Sequence, residues 1–166
     1  MMSREWRSLE GDLRDKIREL QNEAPVKLGA IAKQLGLKVM SSTLPTGISG
    51  EIRPDATSEA GYAIRVNRHD ASTRQRFTVA HEIGHFLLHK DHIGDGITDD
   101  VLYRSDLTDW REAEANKLAS DILMPDHLVR HHLEDARAKG VLDVSRYLSE
   151  IFEVSEAAMN IRLEMF

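Results

Sequence analysis

The residues best equipped for chemistry in this chain lie in one stretch, TVAHEIGHFLLH, from Thr78 to His89. His81 and His85 are four apart, and Glu82 follows the first histidine directly. On a helix, side chains four apart lie one above the other at roughly 5–6 Å, so both imidazoles can reach a single ion about 2.0–2.1 Å from each nitrogen. Glu82 is turned about 100° from His81, flanking that ion in the position of a base that takes a proton from a bound water. The bland alternative is a solvated helix on which the same residues occur without a metal.

A catalytic zinc takes three protein ligands and keeps one position open. The chain has no cysteine, which removes thiolate sites and cysteine nucleophiles and leaves histidine and carboxylate as ligands. The longer pattern H-E-x-x-H-x-x-G-x-x-H fails, because Leu88 and Asp91 stand where the glycine and the third histidine belong. His89, one turn on, is out of the ion's reach and is read as capping the helix C-terminus, where the dipole favours a cation.

The segment REAEAN offers Glu112 and Glu114, which point about 200° apart on a helix, so only one can face the ion. Glu112 shares a face with Asn116, whose amide oxygen can accept the second N–H of a ligating histidine. Glu112 is therefore taken as the third ligand, with Asn116 behind it. A helical glycine costs about 1 kcal/mol against alanine, so Gly84 between the two histidines implies that another element passes close by. An oxyanion donor is also needed, and Tyr62, Arg65, Tyr103, His127, His131 and His132 all stay open for that role.

The elements that must position these groups are readable from periodicity. Trp6, Leu9, Leu13, Ile17 and Leu20 form an apolar stripe on an N-terminal helix ended by Pro25, which is expected to dock on the core. A short helix closing at Gly36 leads into a strand through Val39; SSTLPTGISG reads as a loop, and GEIRP and GYAIRVN read as strands. In the last of these, Tyr62, Ile64 and Val66 alternate with Ala63, Arg65 and Asn67, which predicts a half-exposed strand, either an ordinary member of the sheet or one whose edge pairs with substrate. Ser72 and Gln75 fit a capping box for a helix running through His89. The stretch 90–109, rich in Asp and Gly, reads as a surface loop. Helices follow, over DWREAEANKLASDILM, over DHLVRHHLEDARAKG and twice in the tail.

Together these predict an α+β fold: a small mixed β-sheet packed against the HExxH helix, with helices before and after it. At 166 residues one domain over 1–166 is expected, divided into an N-terminal helix (1–24), a catalytic core (25–125) and C-terminal helices (126–166). The net charge of −6 supplies no positive field for nucleic acid or anionic lipid. The tail has a helix-turn-helix rhythm, but Arg162 is the one basic residue of its last helix, which argues against DNA reading. The start is charged, lacks a leader pattern, and no apolar run approaches membrane length. A cytoplasmic setting is expected.

The combination of RFTVAHEIGHFLLH with EAEANKLASDILMP resembles the ImmA/IrrE family of metallo-endopeptidases, HExxH zinc peptidases of a gluzincin-like kind. The likeness extends back through LGLKV, ISGEI and YAIRVNRHD and forward to FEVSEAAMNIRL, covering most of the chain after about residue 25. It implies Zn2+ held by His81, His85 and Glu112, with Glu82 as catalytic base. It also implies site-specific cleavage of a helix-turn-helix repressor, and hence a part in transcription regulation and stress response. Leu118 and Ser120 stand where phenylalanine and alanine are common in the family; both read as packing changes. The rival reading is a metal-containing regulatory module that sequesters a repressor without cutting it. Glu82 weighs against that rival, since a structural site needs no base.

Overall fold

The computed structural model describes residues 1–100 and 109–166, the side chains of Asp100 and Asp109 excepted. Among them the N-terminal stripe is carried by two helices where one was expected, α1 (Arg4–Ser8) and α2 (Gly11–Glu19). Leu9 and Glu10 turn extended, with ψ of 149° and 144°, which interrupts the helical ladder. Trp6, Leu9 and Ile17 nevertheless all bury in one core cluster. Removing apolar surface from water, at about 25 cal/mol per Å2, holds the stripe against the core. α2 ends at Glu19, ahead of Pro25.

α3 (Leu28–Gln34) is closed by Gly36 at φ 75°, and the chain enters β1 (Lys38–Ser42), longer than the strand expected through Val39. β2 (Ile48–Pro54), β3 (Tyr62–Asn67) and β4 (Ile97–Asp100) complete a sheet of order β1-β3-β2-β4. β1 runs parallel to β3 while β3–β2 and β2–β4 are antiparallel, so the sheet is mixed. Of the two roles open to β3, the structure gives it that of an ordinary sheet member. It lies between β1 and β2 with its backbone engaged on both sides, and four of its six residues are buried, so it offers no edge to a peptide. Its polar member Arg65 tolerates the covered position by donating to Glu51 across the strand pair at 3.0 Å. Among the described residues the sheet edges are β1 and β4.

β4 emerges from a stretch whose Asp and Gly content marked it as loop, and Lys90–His92 before it forms a single 3-10 turn. Ile97 and Asp99, two apart on a strand, face the same side, and both are buried. The register slips by one between Gly50↔Asp99 and Ile48↔Asp100, leaving Ser49 as a one-residue bulge on β2. Bulges bend a strand and re-aim side chains.

α4 (Ser72–Leu88) carries the HExxH residues. The expected capping box does not form: Ala71 is the cap and Ser72 is already helical, although Gln75 still reaches back to the Asp70 carbonyl at 2.8 Å. α4 is held between β2 and β3 on one side and α5 (Asp109–Leu123) on the other. Glycine makes both approaches possible. A Cβ on Gly50 would overlap the Thr78 methyl, and one on Gly84 would sit 3.0 Å from the Ala115 carbonyl oxygen.

α6 (Asp126–Ala138), α7 (Val144–Phe152) and α8 (Glu156–Leu163) follow. Arg162 is buried and pairs with Asp121 at 3.1 Å, so it is a packing cation and does not present itself at a surface. No described helix is long and apolar enough to cross a membrane.

Candidate metal centre

Gly84 sets the geometry of the site. Because α4 has no side chain there, the backbone of α5 closes in at Ala115, and the residues flanking that contact, Glu112 and Asn116, are brought onto the two histidines. Glu112 lies with Oε2 3.1 Å from His81 Nε2 and Oε1 3.2 Å from His85 Nε2. The two Nε2 atoms are themselves 3.0 Å apart. From β4, Asp99 Oδ2 approaches the same nitrogens at 3.3 and 3.4 Å. One ligand atom from each of His81, His85, Asp99 and Glu112 lies within 4.8 Å of all the others. Two imidazoles and two carboxylates converging on a point make a donor set that suits a divalent cation.

The groups behind the histidines turn them the right way. His81 Nδ1 is 2.7 Å from Asn116 Oδ1, an acceptor, so this nitrogen carries a proton and Nε2 faces the carboxylates. His85 Nδ1 is 2.9 Å from His89 Nδ1, and His89 Nε2 is 2.9 Å from Glu114 Oε1. With Glu114 ionised, one proton order satisfies that chain: His89 Nε2–H donates to Glu114, and His85 Nδ1–H donates to His89 Nδ1. This again leaves Nε2 of His85 toward Glu112 and Asp99. Such hydrogen bonds behind a ligand fix its ring and tautomer.

His89 therefore differs from the expectation of a charged helix cap. Its backbone does end α4, but its ring is buried, and burial lowers its pKa, so it stays neutral and relays from His85 to Glu114. Glu112 and Glu114 point to different places, as a helix requires: Glu112 to the histidine pair, Glu114 to His89 and Arg4.

The charges here are balanced by protons that a bound cation would displace. Burial alone would lower the His81 pKa, yet hydrogen bonds with Asp99 and Glu112 outweigh it and carry the imidazolium up to about 9. His85 is raised through the same carboxylates, again against burial. Glu82 is wholly buried, and that burial, followed by the neighbouring Asp99 and Glu112, pushes its carboxyl well above the usual range. Burial would raise Asp99 too, but the proton held by Glu82 and the two histidines keep it ionised, well below the usual range. The Glu82 carboxyl thus holds its proton while the Asp99 carboxylate is ionised. Perturbed carboxyls of this kind cluster at functional sites.

A cavity of about 210 Å3 opens onto this cluster and is lined by Ser49, Arg74, Phe77 and Thr78 together with His81, Asp99, Glu112 and Asn116. A second, more apolar cavity of about 300 Å3 shares Phe77 and Asn116 with it and runs toward Met124 and Ile161. Five of the six candidate oxyanion donors are not brought to the site. Tyr62 packs edge-on against Phe86 and Arg65 binds Glu51. His127 contacts Arg18 and the Gln21 carbonyl, and His131 and His132 stack near Phe152. Tyr103 lies outside the described residues.

Four site residues escaped the sequence reading. Arg74 and Thr78 share a face with His81 and His85 at helical spacing, a signal that was present. Ser49 and Asp99 gave none, since the first is aimed by a bulge and the second belongs to a four-residue strand inside an Asp-rich stretch.

A comparison with protein families matches residues 32–164 to the IrrE N-terminal-like domain, a peptidase family (Peptidase_M78). No curated protein matches the chain.

Proposed function

This chain belongs to the IrrE N-terminal-like peptidase family, and from that premise we propose that it is a zinc-dependent endopeptidase cutting a helix-turn-helix repressor at an exposed linker. The observation that carries the reading is the buried Glu82 carboxyl set beside two inward-facing imidazole nitrogens and two carboxylates. In it, His81, His85 and Glu112 are the ligands, Asn116 orients His81, and Glu82 is the base. A bound divalent ion supplies Lewis acidity toward the scissile carbonyl and the attacking water.

Glu82 ionises once positive charge replaces its proton among these carboxyls, and it then takes the proton of the attacking water and returns it to the leaving amine. Arg74 from α4 and Ser49 from β2 both line the cavity and are the donors for the developing oxyanion. β4, an edge strand beside the ligands, accepts the extended substrate by main-chain pairing, and the adjoining apolar cavity takes a neighbouring substrate side chain. Linkers are where a folded protein exposes extended backbone. A repressor substrate places the reaction in the cytoplasm.

The test is incubation of the zinc-loaded protein with the repressor encoded beside it and, separately, with unfolded casein, followed by mass mapping of fragments. One or two cuts in the repressor linker are expected. Glu82→Gln should keep its metal and lose about 100-fold or more of the rate, because the amide cannot accept the proton. Many-site digestion of casein with the repressor left whole would reject the substrate. Relief of repression in cells by Glu82→Gln would instead favour sequestration over hydrolysis.

A further inference from the structure

We propose that Asp99 is a fourth metal ligand with which β4 caps the site, so that the resting enzyme is coordinatively closed and opens when β4 carries this carboxylate away. The proposal rests on the metallopeptidase reading above and goes beyond it. Catalytic zinc sites hold three protein ligands and an open place, whereas four protein ligands make a closed, structural-type shell. Asp99 Oδ2 is 3.3 Å from His81 Nε2 and 3.4 Å from His85 Nε2, nearly the separations of Glu112. Apart from the Glu82 carboxyl and the two imidazoles, no group among the described residues donates to either Asp99 oxygen, although the residue is only 7% exposed. An ionised carboxylate buried without further donors is costly unless a charge compensates it. Two neutral imidazoles and two carboxylates around a divalent ion sum to zero, which is the charge a buried shell favours.

The backbone that carries Asp99 is suited to movement. β4 has four residues, lies at the sheet edge, and among the described residues pairs with β2 alone. Its pairing is already interrupted at Ser49, immediately past the Gly50↔Asp99 pair. Short edge strands with few partners open at low free energy. A peptide adding to β4 on the side away from β2 would arrive beside the residue that must move, which couples substrate arrival to opening.

The experiment compares wild type with Asp99→Asn and Asp99→Ala. Zinc affinity is read by chelator competition, the ligand field by visible absorption of the Co2+ form, and turnover on a short unstructured casein peptide at saturating zinc. Both variants should bind zinc at least about tenfold more weakly, the lower bound for losing even a group behind a ligand. Their Co2+ spectra should change as solvent replaces the carboxylate, and peptide turnover should rise several-fold. Unchanged affinity and spectrum, or a fall in turnover at saturating zinc, overturns the proposal. The double variant Glu82→Gln, Asp99→Ala separates the two readings: if it cuts as fast as Asp99→Ala, Glu82 is not the base, while the altered affinity and spectrum still stand for the cap.

Discussion

α5 carries buried charge at both ends, and the two ends are built to opposite rules. Toward its C-terminus, Asp121 meets Arg162 at 3.1 Å and accepts from the Ser3 N–H and hydroxyl. Arg162 spends its remaining donors on the Met124 and Met1 carbonyls at 3.0 and 3.2 Å. One anion faces one cation, and the group fastens the N-terminus and α8 to α5. Toward its N-terminus, Glu112 joins Asp99 and the protonated Glu82 around two imidazoles, three carboxyls against two bases, balanced only by taking up protons. The first group is complete without a partner; the second invites an external cation. Charge balance thus separates a buried polar group that locks the fold from one that does chemistry.

That contrast can be broken first at its structural end. Arg162→Ala leaves Asp121 buried and uncompensated, so unfolding in denaturant should show a loss of about 3–5 kcal/mol, while zinc affinity of the folded fraction stays unchanged. Gly84→Ala attacks the other end through packing. The new methyl meets the Ala115 backbone, and overpacking of this kind costs about 1–3 kcal/mol. Here zinc affinity should fall along with stability, because Glu112 and Asn116 move with that backbone. Asn116→Ala sharpens the comparison further. The His81 ring loses its acceptor, and chelator competition should show zinc bound about 10–100-fold more weakly, with little change in the unfolding midpoint of the metal-free protein.

The smallest effect is a pH slope. His81 is raised from 6.5 to about 9, so the metal-free native state keeps a proton that the unfolded chain releases above about 6.5. Stability from this group is present in full below 6.5 and is lost as pH rises to about 9, by at most about 1.4 kcal/mol per pH unit for one proton. Zinc must displace that proton, so its affinity should climb across the same window. Denaturation midpoints with and without chelator at several pH values should therefore diverge as pH rises. Parallel curves would show that the cluster does not hold the proton.

Much of the site was legible because it lies on helices, whose fixed rotation lets spacing stand for geometry. Reasoning from rotation alone, Glu112 and Asn116 were set on one face and Glu114 on another, and Gly84 signalled the helix crossing. The sheet side was read less well. β3 alternates as an edge strand would, yet Arg65 can sit inside the sheet because Glu51 faces it, a pairing decided between strands and invisible along one of them. Asp99 was lost for the same reason, since four residues are too few to establish a period. The break at Leu9 likewise left no mark, because the stripe remains continuous in sequence while the chain changes direction beneath it.

The bulge at Ser49 shows what kind of genetic change this site resists. Pairing in a sheet counts residues, and removing one turns the side chains beyond it to the other face. Replacing Ser49 by another residue alters one side chain in the cavity but leaves the extra residue, and hence the aim of its neighbours, in place. Deleting a single codon there would restore regular pairing between β2 and β4 and swing Ile48 and the chain before it to the opposite face. At this corner the gene's reading length is a stricter specification than its spelling.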